Sequence, residues 1–278
     1  MPSPSPPAIL GADQQDNRIR LFNPFAPGHH KPDLWSYPEA QQPAHKYRPT
    51  DAKRVDTKGT THVLAAYHSR VRLVRFSDHK VLRDFPSLSS CHSAELLPDG
   101  TIASANSNHG ILRHHLSDSQ YTDLGLPYAH GVTWDRERNC LWAVGDKLYR
   151  YTLLADKLTL AGSFPLPDDP TGHELFPLRS EPKLLVSNNL ALYLFDIPTS
   201  KFEKISALHE IKSASQHIDG TIWATDPANI EGSASYQTDT ITRIRPAKPP
   251  LAYTTKGSKF YKARWWHPNT FSYEIPEA

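Results

Sequence analysis

Six segments of the chain open on a cationic or imidazole side chain that leads into a short apolar strand: Lys53, His92, His130, His173, Lys212 and Lys262. They are spaced by 39, 38, 43, 39 and 50 residues, so one position of a repeat recurs along the chain. The likeness extends past the first residue. His92-Ser-Ala-Glu-Leu-Leu-Pro-Asp-Gly100 lies over Lys212-Ser-Ala-Ser-Gln-His-Ile-Asp-Gly220, and both run on into an apolar strand. A unit of about 40 residues holding several short strands is the period of a β-propeller blade.

Each unit parses as four strands, A to D, from the axis outward. In the third, A is Ser93 to Leu97, B Thr101 to Ala105, C Gly110 to His115 and D Tyr121 to Leu124, with Asp99-Gly100 as the first turn. The ends are incomplete. The chain opens on a B strand at Ile9 and closes on a lone A strand, Tyr261-Lys-Ala-Arg-Trp-Trp. Pairing the two completes one blade from both termini and leaves no open sheet edge. Twenty-five prolines, a single methionine and no sustained 3.6-residue apolar period argue against helices. The fold class expected is all-β: a six-bladed β-propeller, with seven blades as the lesser alternative. It forms a single domain over 1–278, with a disordered tail at 1–8. A long connection at 28–49 and the Gly/Ser-containing run Asp226 to Gln237 could fold over the mouth of a central funnel.

A net charge of +2 with no Lys/Arg-rich run does not suit a nucleic-acid binder, and no apolar run approaches the roughly 20 residues of a membrane span. Met-Pro-Ser-Pro-Ser-Pro-Pro lacks the charge and the apolar core of a signal peptide. Cys91 and Cys140 fall in different units and read as reduced and structural, so a cytoplasmic location is expected.

If first strands point at a shared axis, His92, His130 and His173 meet there. Three imidazoles could act as general base and acid near neutrality, or hold one divalent metal ion. Lys53, Lys212 and Lys262 complete the ring, with Arg264 on the same strand face as Lys262. Unless Asp51, Glu95 or Glu174 neutralises these cations, the funnel is prepared for an anion. Trp265 and Tyr236 are the aromatics expected to touch a ligand, while Trp142 and Trp223, at matching B-strand positions, belong between blades.

The strings Cys91 to Gly100, Ala129-His-Gly-Val-Thr-Trp-Asp135, Gly172-His-Glu-Leu and Tyr261-Lys-Ala-Arg-Trp265 resemble a family of uncharacterised six-bladed propellers of bacteria and fungi. That resemblance implies the fold and no activity. A histidine-lined funnel is similar, at the level of site type, to propeller lyases such as oligogalacturonate lyase and rhamnosyl-glucuronate lyase. The expectation is an enzyme that binds a small anionic, uronate-containing saccharide and cleaves it by β-elimination. In it His130 or His173 is the base, His92 the acid or a metal partner, and Lys212, Lys262 or Arg264 the carboxylate partner. Alternatives are a natural-product cyclase or isomerase, and a non-catalytic sugar-binding or interaction propeller.

Overall fold

The computed structural model describes residues 7–28, 32–39, 47–179, 181–227, 234 and 236–274. Six four-stranded antiparallel sheets form the blades, as the repeat predicts. Their A strands are Phe260–Trp265, Pro49–Thr57, Cys91–Leu96, Gly131–Asp135, Leu175–Pro177 and Ala214–Gln216, for blades 1 to 6. Blade 1 is closed from both ends: Phe260–Trp265 pairs with Ile9–Asp13, with Leu10 opposite Arg264 and Ile9 opposite Trp265. Most of the tail expected over 1–8 lies outside the described residues, but its last residue is part of the fold. Ala8 is buried and its carbonyl accepts from the Trp266 amide at 2.8 Å.

Six apolar clusters, one at each blade interface, hold the ring together. In each, one face of a sheet meets the opposite face of its neighbour, as period-2 alternation requires. Trp142 packs against Phe195 and Leu175 between blades 4 and 5, and Trp223 packs with Ile9 and Ala263 between blades 6 and 1. Burying each such side chain stabilises the ring by roughly 1.5–3 kcal/mol.

The strand ladder also decides what faces the axis. In blades 2 and 3 the A strand carries a bulge, so that Thr50 and His92 are squeezed out between the paired residues Pro49 and Asp51 and between Cys91 and Ser93. In blade 1 the register slips opposite the step from Gly11 to Asp13, which sets Tyr261 and Lys262 together between the paired residues Phe260 and Ala263. Bulges re-aim side chains. Here they turn Thr50, His92 and Tyr261 toward the upper end of the axis, level with His130, His173 and Lys212 in the other blades.

The lower end is closed by the chain after the last strand. Ser272 Oγ donates to the Trp134 carbonyl at 2.8 Å, Arg136 N to the Phe271 carbonyl at 3.1 Å and the Tyr273 hydroxyl to Glu95. Tyr273 thereby packs beside Glu95 among the apolar residues between blades 2 and 3. Within the connection expected at 28–49, residues 29–31 and 40–46 lie outside the described residues; Asp33–Tyr37 is the D strand of blade 1 rather than part of a lid. In the run Asp226 to Gln237, residues 228–233 and 235 lie outside as well.

Candidate functional site

The upper end of the axis holds a cavity of about 400 Å³. One residue from every blade, in the A strand or at most two residues before it, forms its floor: Tyr261, Thr50, His92, His130, His173 and Lys212. Gln14, Arg48, His68, Ser90, Ser107, Asn108, Tyr128 and Tyr236 form the wall. Among the described residues no aliphatic side chain lines it, and the lining is polar and aromatic.

The three histidines predicted to meet do so. His92 and His130 stand edge to face with ring centroids 4.3 Å apart, and His130 and His173 do the same at 4.8 Å. Each has its own anchor. His92 Nδ1 lies 2.7 Å from the Tyr261 hydroxyl. His130 Nδ1 donates to the Tyr128 carbonyl at 2.8 Å, which puts its proton there and leaves Nε2 as the free lone pair. His173 Nε2 contacts Asn189 Oδ1 at 2.5 Å and Lys212 Nζ at 2.8 Å. Close packing fixes the approach to His173: a Cβ on Gly172 would stand 2.4 Å from Val144 Cγ2 and 2.7 Å from the Gly145 carbonyl oxygen.

Burial sets the electrostatics of this floor. It pushes His92 and His173 down to about 3, with Lys262 adding to the first and Lys212 to the second. His130 is held well below the usual imidazole range by burial and by its two histidine neighbours. All three are neutral at pH 7. Burial likewise lowers Lys212, against the pull of Glu210 at 2.9 Å, and raises the Tyr261 phenol well above its ordinary value.

The expected metal site does not assemble. Among the described residues no group of three or more His, Cys, Asp or Glu is arranged to hold an ion. The imidazoles stand edge to face, and one nitrogen of each is committed to a hydroxyl, a carbonyl, or an amide and an amine. Nor is the cationic ring complete. Lys53 donates to Glu95 at 2.8 Å and to the Val132 carbonyl. Lys262 lies 3.5 Å from Glu174, and Arg264 grips Glu174 with two bonds of 2.8 Å while its remaining nitrogen reaches Asp51. These groups are buried below the cavity floor and none of the three cations lines the cavity. Asp51, Glu95 and Glu174 therefore neutralise Lys53, Lys262 and Arg264, and the anion site expected from all four cations reduces to Lys212.

Trp265 is a correction too. Its strand position faces the interface between blades 6 and 1, where it packs on Trp223 and His217 away from the cavity. Tyr236 does line the cavity, its hydroxyl accepting from Arg48 Nη2 at 2.8 Å. Arg48 is a second cavity cation that the repeat does not reveal, because it precedes the first repeated strand.

Tyr128, at the mouth, has a left-handed backbone at φ 59°, as have Ser90 and Glu210, which also stand two residues before a floor residue. For a bulky aromatic side chain this is a strained conformation. The strain holds the Tyr128 ring 4.4 Å from His130 and 5.6 Å from His173.

Fold and site together define a six-bladed β-propeller with one polar, histidine-floored axial cavity. Residues 30–277 match the family of unknown function DUF6528, and the chain belongs to that family. Among solved structures it is similar to a protein of unknown function from Bacteroides caccae, with 13% identity over 94% of this chain and 99% of that one, at a TM-score of 0.63. It is similar also to a chain of a nidogen/laminin complex, with 11% identity over 93% and 98% of the two chains and a TM-score of 0.66. Virginiamycin B lyase from Staphylococcus aureus aligns over 74% of this chain and 69% of its own, with 13% identity and a TM-score of 0.53. No curated protein matches. At these identities the likenesses speak to fold alone. Among the described residues no helix is long and apolar enough to cross a membrane.

Proposed function

We propose that this propeller is a lyase that binds a small anionic, uronate-bearing saccharide in the axial cavity and cleaves it by histidine-assisted β-elimination. The observation that carries the reading is the fixed tautomer of His130: its Nδ1–H is held by the Tyr128 carbonyl, so Nε2 is the proton acceptor. The substrate carboxylate would pair with Arg48 and accept a hydrogen bond from Lys212, both of which line the cavity. Its negative charge would raise the depressed basicity of His130, arming the base only when the site is filled. His130 Nε2 then takes the proton on the carbon next to the carboxylate. The electron pair forms the carbon–carbon double bond as the neighbouring carbon–oxygen bond breaks. The departing oxygen takes a proton from the His92–Tyr261 pair. The fold shared with virginiamycin B lyase supports the class in a general way and says nothing of substrate.

The polar lining of the cavity among the described residues speaks against the cyclase alternative. Tyrosines 128, 236 and 261 around a polar floor suit sugar binding without turnover as the second reading. Screening oligosaccharides with and without a uronate tests both. Ultraviolet absorbance rising only with uronates supports the lyase. Binding without absorbance supports a sugar-binding propeller, and no response to any saccharide overturns both.

A further inference from the structure

We propose that Lys212 is a nucleophilic amine that captures the carbonyl of an aldehyde or ketone bearing a carboxylate, as an imine. The grounds are its hydrogen bonds. Asn189 Oδ1 stands 2.5 Å from His173 Nε2, so that nitrogen carries its proton toward the amide oxygen. Lys212 Nζ, 2.8 Å from the same protonated nitrogen, therefore finds no lone pair there to donate to, which favours a free amine that shares the N–H with the amide oxygen. Its own N–H bonds turn to Glu210 at 2.9 Å. His173 Nδ1 is buried with no partner among the described residues, as fits an unprotonated nitrogen better than an N–H. A nucleophile beside a titratable group that a third residue orients is the arrangement of covalent catalysis. Burial that disfavours the ammonium form acts in the same direction.

In the step, the amine nitrogen attacks the carbonyl carbon to give a carbinolamine. Both hydrogens of the amine then leave with the carbonyl oxygen as water, relayed through His173 and Glu210, and a carbon–nitrogen double bond remains. Arg48, across the same cavity, is placed to take the carboxylate. The proposal shares the cavity with the lyase reading but does not depend on it, since imine capture requires no elimination.

The probe is glyoxylate, a small aldehyde with a carboxylate, added to the full chain at neutral pH with cyanoborohydride, which reduces the imine to a stable carboxymethyl amine. Peptide mass spectrometry then compares Lys212 with the exposed Lys58 and Lys157. Labelling of Lys212 at least tenfold faster than either supports the proposal. Asn189→Ala should bring that rate down toward the surface value and leave Lys157 unchanged. Lys212 labelled no faster than the exposed lysines overturns it, as does an unchanged rate in Asn189→Ala. The labelling is read in the absence of any uronate, so its outcome and that of the uronate screen are independent of each other.

Discussion

The Tyr261 hydroxyl and His92 Nδ1, from blades 1 and 3, meet at 2.7 Å across the cavity floor. Blade 2 lies between them and contributes only the short Thr50 at this level, so the phenol reaches past it to the imidazole. The pair can pass a proton between a high-pKa phenol and a low-pKa imidazole without either carrying charge at rest. Tyr261→Phe keeps the ring and removes the relay. Turnover on a uronate substrate should fall about a hundredfold, the low end of the range of general acid–base catalysis, with the far-ultraviolet spectrum unchanged. Stability should drop by about 1 kcal/mol, the usual worth of a hydrogen bond, measured by denaturant unfolding.

Arg264 separates stability from binding. It sits below the floor between Glu174 and Asp51, and removing it would leave two buried carboxylates short of a cation. Arg264→Ala should cost about 3–5 kcal/mol of unfolding free energy, the penalty for breaking a buried ion pair. Lys212→Ala, at the cavity, should cost far less and weaken anion binding instead. Equal losses of stability in the two variants, read from urea midpoints, would contradict this division.

The six blades and their closure were legible because apolar strands, Asp-Gly turns and split termini are local signals repeated at blade spacing. The floor was legible in four of its six positions: His92, His130, His173 and Lys212. It failed at Lys53 and Lys262, where cationic residues lie near the expected repeat position while Thr50 and Tyr261 hold it. A bulge shifts a strand by one residue and leaves no mark in composition, and in blade 2 the matching residue is a threonine rather than a histidine. The neutralisation of Arg264 by Asp51 and Glu174 was open in the sequence only as a condition, because residues 213 and 90 positions away meet through the closure of the ring.

The neutral histidines make the fold sensitive to acid. His92 and His173 titrate near 3 in the folded chain, against about 6.5 when exposed, so the unfolded state binds more protons between those values. Stability is full above about pH 6.5 and falls as the pH drops toward 3, with a slope of roughly 1.4 kcal/mol per pH unit for each histidine. Urea midpoints at a series of pH values should show at least this slope, and His92→Gln/His173→Gln should make it shallower while His130, His115 and His267, also lowered by burial, keep the remainder. A midpoint independent of pH between 6.5 and 4 would show that these imidazoles accept protons in the folded state.

Tyr128 should show strain exchanged for binding. Its left-handed backbone costs about 1–3 kcal/mol, and a glycine there would be free of that cost. The carbonyl that fixes His130 belongs to the backbone and survives the substitution, so the base keeps its tautomer. Tyr128→Gly should therefore hold or raise the melting temperature while removing the aromatic face over His130 and His173. Losing an aromatic contact of about 1 kcal/mol corresponds to a roughly fivefold rise in KM, with kcat changed much less. A fall in kcat with KM unchanged would instead place the Tyr128 ring in the chemical step, and a lower melting temperature would mean that its packing on the two imidazoles outweighs the strain.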